Sequence, residues 1–445
     1  MRANLNDLSC DVLIVGTGAS ALYCALNLRE DLNIIMVTKS HVRESNSYLA
    51  QGGISTALDH EDIDLFVQDT MKAGNYKNDI KSVEILCKES RENIDNLIAL
   101  ETPFDKKDGS LEYTREGAHR VNRIVHCSDS TGKTVVETLL KNVKNSSNIT
   151  ILQHTALIDI ISENNKVCGA ILRAENLNFN IYSKVAILAT GGIGGLFKNS
   201  TNQRTLTGDS IALALAHNIA LKDVGYIQFH PTALYDESSD SRRFLISESV
   251  RGEGGKLFNS KGERFIDELL PRDVVAKAIN KEIVKTGIPY VFLDISFMGK
   301  TYIKKRFPMI YNECLLHGID ITEAPIPVSP AQHYFMGGIK VNHNSETSMK
   351  DLYAVGESSC TGVHGSNRLA SNSLLEALVF SKRAADKINF EIDKKSLAKA
   401  SSYENNSKKN SQLDNHLLVI EELKKRNGDL YDELFSYRQD YIKCP

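Results

Sequence analysis

The chain has 445 residues, with 53 Lys plus Arg against 56 Asp plus Glu and a formal net charge of −3. At about 150 residues per domain, that length accommodates two or three domains. The near-balance of charge gives no support to nucleic-acid binding through the whole surface and leaves only a local basic patch open, and 42% hydrophobic residues are enough for a core, which excludes disorder across the chain.

Residues 1–7 are polar, and the apolar run at 12–15 is far shorter than the core of an export signal. No stretch approaches the ~18 apolar residues of a membrane span. A cytoplasmic protein with no membrane partner is therefore expected. Residues 11–15 read as a short buried strand. Gly16-Thr17-Gly18-Ala19-Ser20-Ala21 follows, then helical spacing through Leu22, Ala25, Leu26 and Leu28, and a second strand at 34–37. Strand, glycine turn, helix and strand within ~30 residues make a βαβ unit. Gly16 permits the tight turn and Gly18 lets backbone approach a pyrophosphate. Ala21 allows close helix–strand packing, and the pyrophosphate sits at the helix N-terminus. One element departs from the generic dinucleotide pattern. The second strand ends in Thr38-Lys39, where an acid would hold a ribose.

Helical patterns dominate 62–100. Residues 151–161 and 167–172 read as strands of a β-rich insert, 185–189 as a buried strand ending in Thr190-Gly191-Gly192, and 211–220 as an apolar helix. From about 224 the texture becomes mixed. A strand at 352–355 ends in Gly356-Glu357, and a glycine-containing loop leads to a helix at 374–385, restoring the α/β pattern. One domain split in sequence by an insert follows. Residues 401–412 read as a polar linker. Helix-spaced apolars at Leu413, Leu417, Ile420 and Leu423, then Leu430, Leu434, Tyr437 and Tyr441, predict two short helices. Cys10, Cys24, Cys87, Cys127, Cys168, Cys314, Cys360 and Cys444 form no C-x-x-C pair. They read as buried free thiols in a reducing compartment, with no iron–sulfur or other metal site.

Several motifs fall in one order: Lys39; 45–53 (S-N-S-Y-L-A-Q-G-G); 114–119 (T-R-E-G-A-H); 229–232 (F-H-P-T); 251–254 (R-G-E-G); 271–273 (P-R-D); His333-Tyr334; and 367–376 (N-R-L-A-S-N-S-L-L-E). Together they resemble the flavoprotein family of succinate dehydrogenase and fumarate reductase, and within it the branch that oxidises L-aspartate. The resemblance covers roughly residues 8–390 and thins beyond, where the family usually has a longer helical domain. It implies an α/β fold: a split, Rossmann-like FAD-binding domain at 1–223 and 335–395, an inserted α+β capping domain at 224–334, and a linker with a short helical tail at 396–445.

The resemblance also implies the site. FAD would be held by Gly16, Thr17, Gly18, Ala19, Ser20 and Lys39, and by the loop Asn46, Ser47, Tyr48, Ala50, Gln51, Gly52 and Gly53. In that loop bare backbone would lie against the isoalloxazine. Asp209 would contact the cofactor, Glu357 would accept from its hydroxyls, and Ser373 and Leu374 would present helix N-terminal amides to the ring. In respiratory members a His five residues before the Gln of A-Q-G-G carries FAD covalently. Here that residue is Asn46, so non-covalent FAD is expected. His230, His333 and Arg368 would hold the substrate carboxylates, with Ser247 adding a hydroxyl and Glu116 facing the ammonium. Arg272 would handle the proton in a relay with Glu248 and Arg251, which stand three apart on one helix face. His230 and Arg272 from the cap and Arg368 from the FAD domain would meet on domain closure.

The implied reaction is oxidation of L-aspartate to iminoaspartate, with dioxygen or fumarate as acceptor. It is the first step of NAD biosynthesis through quinolinate, with quinolinate synthase as an expected partner. Two other readings are open: the flavoprotein subunit of a fumarate reductase or succinate dehydrogenase, and an FAD-binding interaction protein without turnover. Asn46 and Glu116 argue against the first. The joint presence of Glu116, His230, Arg272, His333 and Arg368 argues against the second.

Overall fold

A computed structural model describes residues 8–175, 177–237, 242–397 and 412–428. The strand Leu8–Val15 is flanked on one side by Ile34–Val37 and then Ile149–Leu152, all parallel. On its other side lies Leu177–Leu188, also parallel, followed by the short parallel strand Leu352–Ala354. Val12, Leu13 and Ile14 are fully buried, as a parallel strand covered on both faces requires.

The strand Leu177–Leu188 has two roles. Its first half pairs antiparallel with Lys166–Ala174, which pairs with Ala156–Glu163, and its second half enters the parallel layer. The predicted β-rich insert is thus an extension of the main sheet. Connections diverge on either side of Leu8–Val15, since Ile34–Val37 follows on one flank and Leu177–Leu188 on the other. A crevice opens at the carboxyl ends of strands at such a switch point. Gly16, at φ +123, lies where a Cβ would meet the Ala189 carbonyl oxygen at 2.1 Å, so the crevice floor tolerates no side chain there.

Helices Asp62–Ala73, Ile80–Ala99, Thr131–Asn145 and Asn372–Glu391 cover one face with helix Ala19–Asn27. The antiparallel sheet Ile227–Leu234, Ile326–Phe335, Val291–Asp294 and Lys256–Phe258 carries its own hydrophobic cluster with helix Arg272–Thr286. Hydrogen bonds tie it back at several places, those of Asp129 and Gln228 among them. Asp129 Oδ2 accepts from the backbone N–H of Met309 and Ile310, at 2.8 and 2.9 Å, at the start of helix Pro308–Leu316. Gln228 Nε2 donates to Asn367 Oδ1 and to the Arg368 carbonyl at 2.9 and 2.8 Å.

In the tail, helix Gln412–Arg426 packs Val419 and Leu423 against helix Asp209–Ala216. Of the linker expected at 401–412, residues 401–411 lie outside the described residues, as do the second short helix near 430–441 and Cys444, while Gln412 already begins the helix. The other seven cysteines are buried free thiols. Among the described residues, no helix is long and apolar enough to cross a membrane.

One buried ionic cluster fixes the segment that carries Glu116. Arg123 is fully buried and gives Nη2 to Asp62 Oδ1 and Nη1 to Asp69 Oδ2, both at 2.6 Å, from the helix Asp62–Ala73. His119, four residues before it, lies 3.0 Å from the Ala370 carbonyl oxygen through Nε2. Breaking such a pair leaves uncompensated charge and costs ~3–5 kcal/mol. Arg123→Met should therefore lose about that much in urea unfolding at neutral pH; a loss below ~1 kcal/mol would contradict the assignment.

Candidate active site

The crevice at the switch point widens into a cavity open to solvent. Gly16, Thr17, Gly18, Ser20, Lys39, Asn46, Ser47, Ala50, Asp209, Glu357, Ser373 and Leu374 line it. Ala19 stands just behind, its N–H donating to Ser47 Oγ at 3.1 Å. That bond pins the 45–49 loop over the first turn of the helix.

Lys39, which stands where the generic pattern has an acid, is itself paired with one from another element. Lys39 Nζ sits 2.7 Å from Asp209 Oδ2, and Asp209 opens the helix Asp209–Ala216. Burial works to raise the Asp209 carboxyl, but Lys39 outweighs it and holds the group below its usual range. Glu357 Oε1 accepts from the Phe335 N–H at 2.9 Å, and its Oε2 accepts from Asn46 Nδ2 at 3.3 Å. Burial pushes this carboxyl up to about 7. Asn46 Oδ1 accepts from the Gln203 N–H at 3.0 Å. Both ends of that amide are engaged, and neither is a nucleophile.

Four loop residues expected at the cofactor do not line the cavity. Tyr48 gives its hydroxyl to Glu137 Oε1 at 3.1 Å. Gln51 is buried behind the loop. Gly52 faces the substrate side, where a Cβ would meet Glu116 Oε1 at 2.7 Å. Gly53 packs on the strand Ile124–Val125, where a Cβ would meet the Val125 carbonyl oxygen at 2.2 Å. The two glycines clear space for Glu116 and for a strand pairing.

Beyond the loop, a ring of buried polar side chains converges. Arg272 starts its helix and gives Nε to Glu248 Oε2 at 2.6 Å. Arg251 Nη2 lies 2.7 Å from Glu248 Oε1 on the same short helix. Burial would raise Glu248, but the two guanidiniums outweigh it and hold it low. Glu116 accepts from Ser371 Oγ at 2.6 Å, and burial, with Glu248 adding, raises its carboxyl.

His230 and His333 stack edge to face at 5.1 Å between centroids. Burial, then Arg272, keeps both imidazoles well below their usual range, so they are neutral at pH 7. His230 accepts the Thr232 N–H through Nδ1 at 3.2 Å, which leaves Nε2 as the protonated nitrogen. His230 Nε2 and Arg368 Nε are buried with no hydrogen-bond partner in the protein. Ser247 Oγ accepts from the Ser249 N–H and hydroxyl at 3.3 and 2.9 Å, which leaves its own O–H to donate.

Sequence reading missed Gln228. Its Oε1 accepts from Arg272 Nη1 at 3.0 Å while its amide holds the Arg368 loop. The signal was present, because Gln228 and His230 are two apart on one strand and share a face. Ser371, which orients Glu116 from a left-handed backbone at φ +62, was also missed.

A model of the FAD binding domain family matches residues 11–374. The L-aspartate oxidase of Clostridium acetobutylicum is 62% identical over 387 residues, covering 87% of this chain and 89% of the relative. That of Clostridium perfringens is 56% identical over 426 residues, covering 96% and 97%. Among solved structures, an E. coli quinol fumarate reductase superposes with a TM-score of 0.82 at 28% identity, covering 96% of this chain and 75% of the other. The glycine crevice, the Lys39–Asp209 pair and the buried guanidinium cluster therefore belong to a member of the FAD-binding flavoproteins related to fumarate reductase, and within them of the L-aspartate oxidase family.

Proposed function

We propose that the chain oxidises L-aspartate to iminoaspartate with FAD, the entry step of NAD biosynthesis. The observation that carries this reading is a buried carboxylate, Glu116, set among guanidiniums. With its carboxylate ionised, as an ammonium beside it would favour, Glu116 joins Glu248 against the guanidiniums of Arg251, Arg272 and Arg368, and with both imidazoles neutral the substrate-bound cluster sums to +1. L-Aspartate carries two carboxylates and one ammonium, net −1, and matches that sum. A plain dicarboxylate, net −2, does not.

Arg368, His230, His333 and the Ser247 hydroxyl would take the substrate carboxylates, and Glu116 the ammonium. Gly16, Gly18, Lys39, Asp209, Glu357 and the first turn of helix Asn372–Glu391 would hold FAD, which supplies the hydride acceptor when the α-C–H bond breaks. The ammonium must lose a proton in the same process. Arg272 would release one guanidinium proton into the relay toward Glu248 Oε2 and Arg251 and take the substrate's proton in its place in the same step. The guanidinium then never rests deprotonated, which its high basicity forbids. Dioxygen or fumarate would accept the electrons afterwards, and quinolinate synthase would consume the product. The cap's attachment through Gln228 and Asp129 supports a site assembled between two bodies of the chain, with the cap sheet running over 227–335.

Asn46 offers no group able to bond FAD covalently. Acid precipitation of the holoenzyme should release all the flavin into the supernatant. Flavin retained in a washed, denatured pellet would contradict this.

Glu116→Gln should turn the site toward plain dicarboxylates. A charge-assisted hydrogen bond contributes about 1.5–3 kcal/mol, so kcat/KM for L-aspartate should fall roughly tenfold to a hundredfold. The inhibition constant of succinate should hold or improve, because the cluster charge rises to +2. Equal losses for both ligands would mean that Glu116 only supports the fold.

A further inference from the structure

Arg368 is hydrogen-bonded through its side chain at one edge. Nη1 donates to Ser373 Oγ at 2.8 Å, while the buried Nε has no partner. Its guanidinium is carried on the Tyr334 ring, whose centroid lies 4.7 Å from Cζ. Tyr334 in turn donates its hydroxyl to Glu376 Oε2 at 3.0 Å. Glu376 Oε1 accepts from Thr361 Oγ1, and Oε2 lies 2.8 Å from His364 Nε2. The His364 ring meets the Tyr334 ring edge-on, with centroids 5.2 Å apart at 88°. Tyr334, His364 and Glu376 are all buried, and among the three only Tyr334 lines the cofactor cavity.

This arrangement has a direction. Burial works to raise the Glu376 carboxyl, but His364, with the Thr361 and Tyr334 hydroxyls, outweighs it and keeps the group ionised. A phenol that donates to a carboxylate gathers electron density on its ring, and an electron-rich face attracts a cation more strongly. The same bond fixes the ring's tilt, and so the plane of the guanidinium resting on it. Glu376 reaches the substrate side through Tyr334.

We propose that Glu376 is a positioning residue for substrate binding: through the Tyr334 hydroxyl it sets and strengthens the aromatic platform that aims Arg368 at the substrate carboxylate, with His364 and Thr361 anchoring Glu376. The proposal rests on the reading that Arg368 binds that carboxylate.

The test uses holoenzyme carrying Glu376→Gln, Tyr334→Phe, both together, or Arg368→Lys as a control. Steady-state KM and kcat for L-aspartate, the inhibition constant of succinate, and bound flavin are measured for each. Glu376→Gln and Tyr334→Phe should each raise KM and the succinate constant by about three- to thirtyfold, the range of a cation–π contact. The kcat should stay within about threefold, and the double variant should be no weaker than the stronger single one. Unchanged constants in both singles, or additive losses in the double, would overturn the proposal. So would loss of flavin with KM unmoved, the mark of a purely structural role. Should Glu376→Gln not fold, Tyr334→Phe decides alone, because it keeps the ring and removes the hydroxyl. If Arg368→Lys also leaves KM and the succinate constant unchanged, the assignment of Arg368 fails, and the positioning claim is overturned with it. If Arg368→Lys weakens both while the other variants do not, the positioning claim alone fails.

Discussion

Glu248 is the buried anion around which the substrate side is organised. It accepts from Arg272 at 2.6 Å and stands 2.7 Å from Arg251, with His230 3.7 Å away. Removing two guanidiniums from water costs several kcal/mol each unless an anion compensates. Sharing one carboxylate between them meets that cost only in part, and the cluster keeps a residual positive charge. That residual charge is a form of preorganisation: on the proposed reading the donors would already face the substrate's anionic groups before reaction. Gly117 shows how closely the backbone is fitted to this carboxylate, since a Cβ there would meet Glu248 Oε1 at 2.5 Å.

The cofactor crevice and this cluster share elements, and the shared elements couple them. The loop after Gly365 supplies Arg368, then Ser371 on Glu116, then the helix Asn372–Glu391, whose first turn borders the crevice. Ser55 donates both its N–H and its hydroxyl to the Ser371 carbonyl at 3.2 Å, which stabilises the left-handed turn. The loop from Ser45 does the same from the other side, with Asn46 on Glu357 and Gly52 against Glu116. A shift in either loop would move groups on both sides.

The local signals of the sequence were strong where backbone chemistry is local. The βαβ unit, the strand at 34–37 and the switch into a mixed insert all depend on short-range patterns of glycine and apolar residues. Non-local pairing was not legible. Nothing near Lys39 indicates that its acid is Asp209, 170 residues on. The strand Leu177–Leu188 was foreseen only over its last four residues, 185–188, because its first half is partly exposed and reads as polar. Gly52 and Gly53 were recognised as places that forbid side chains, yet what they make room for is a carboxylate and a strand across the fold. Family resemblance supplied the roles of Glu116, His230, Arg272, His333 and Arg368. Geometry added Gln228 and Ser371, which hold them.

The central claim is that Arg272, fixed by Glu248, moves the proton that must leave the substrate. Anaerobic rapid mixing of holoenzyme with L-aspartate, following flavin bleaching in wild type and Arg272→Lys, tests it most directly. Proton transfer by a positioned group contributes about 10²- to 10⁴-fold. The account predicts a fall in the reduction rate of at least about a hundredfold in the variant, with succinate still bound. Reduction within about threefold of wild type would contradict it.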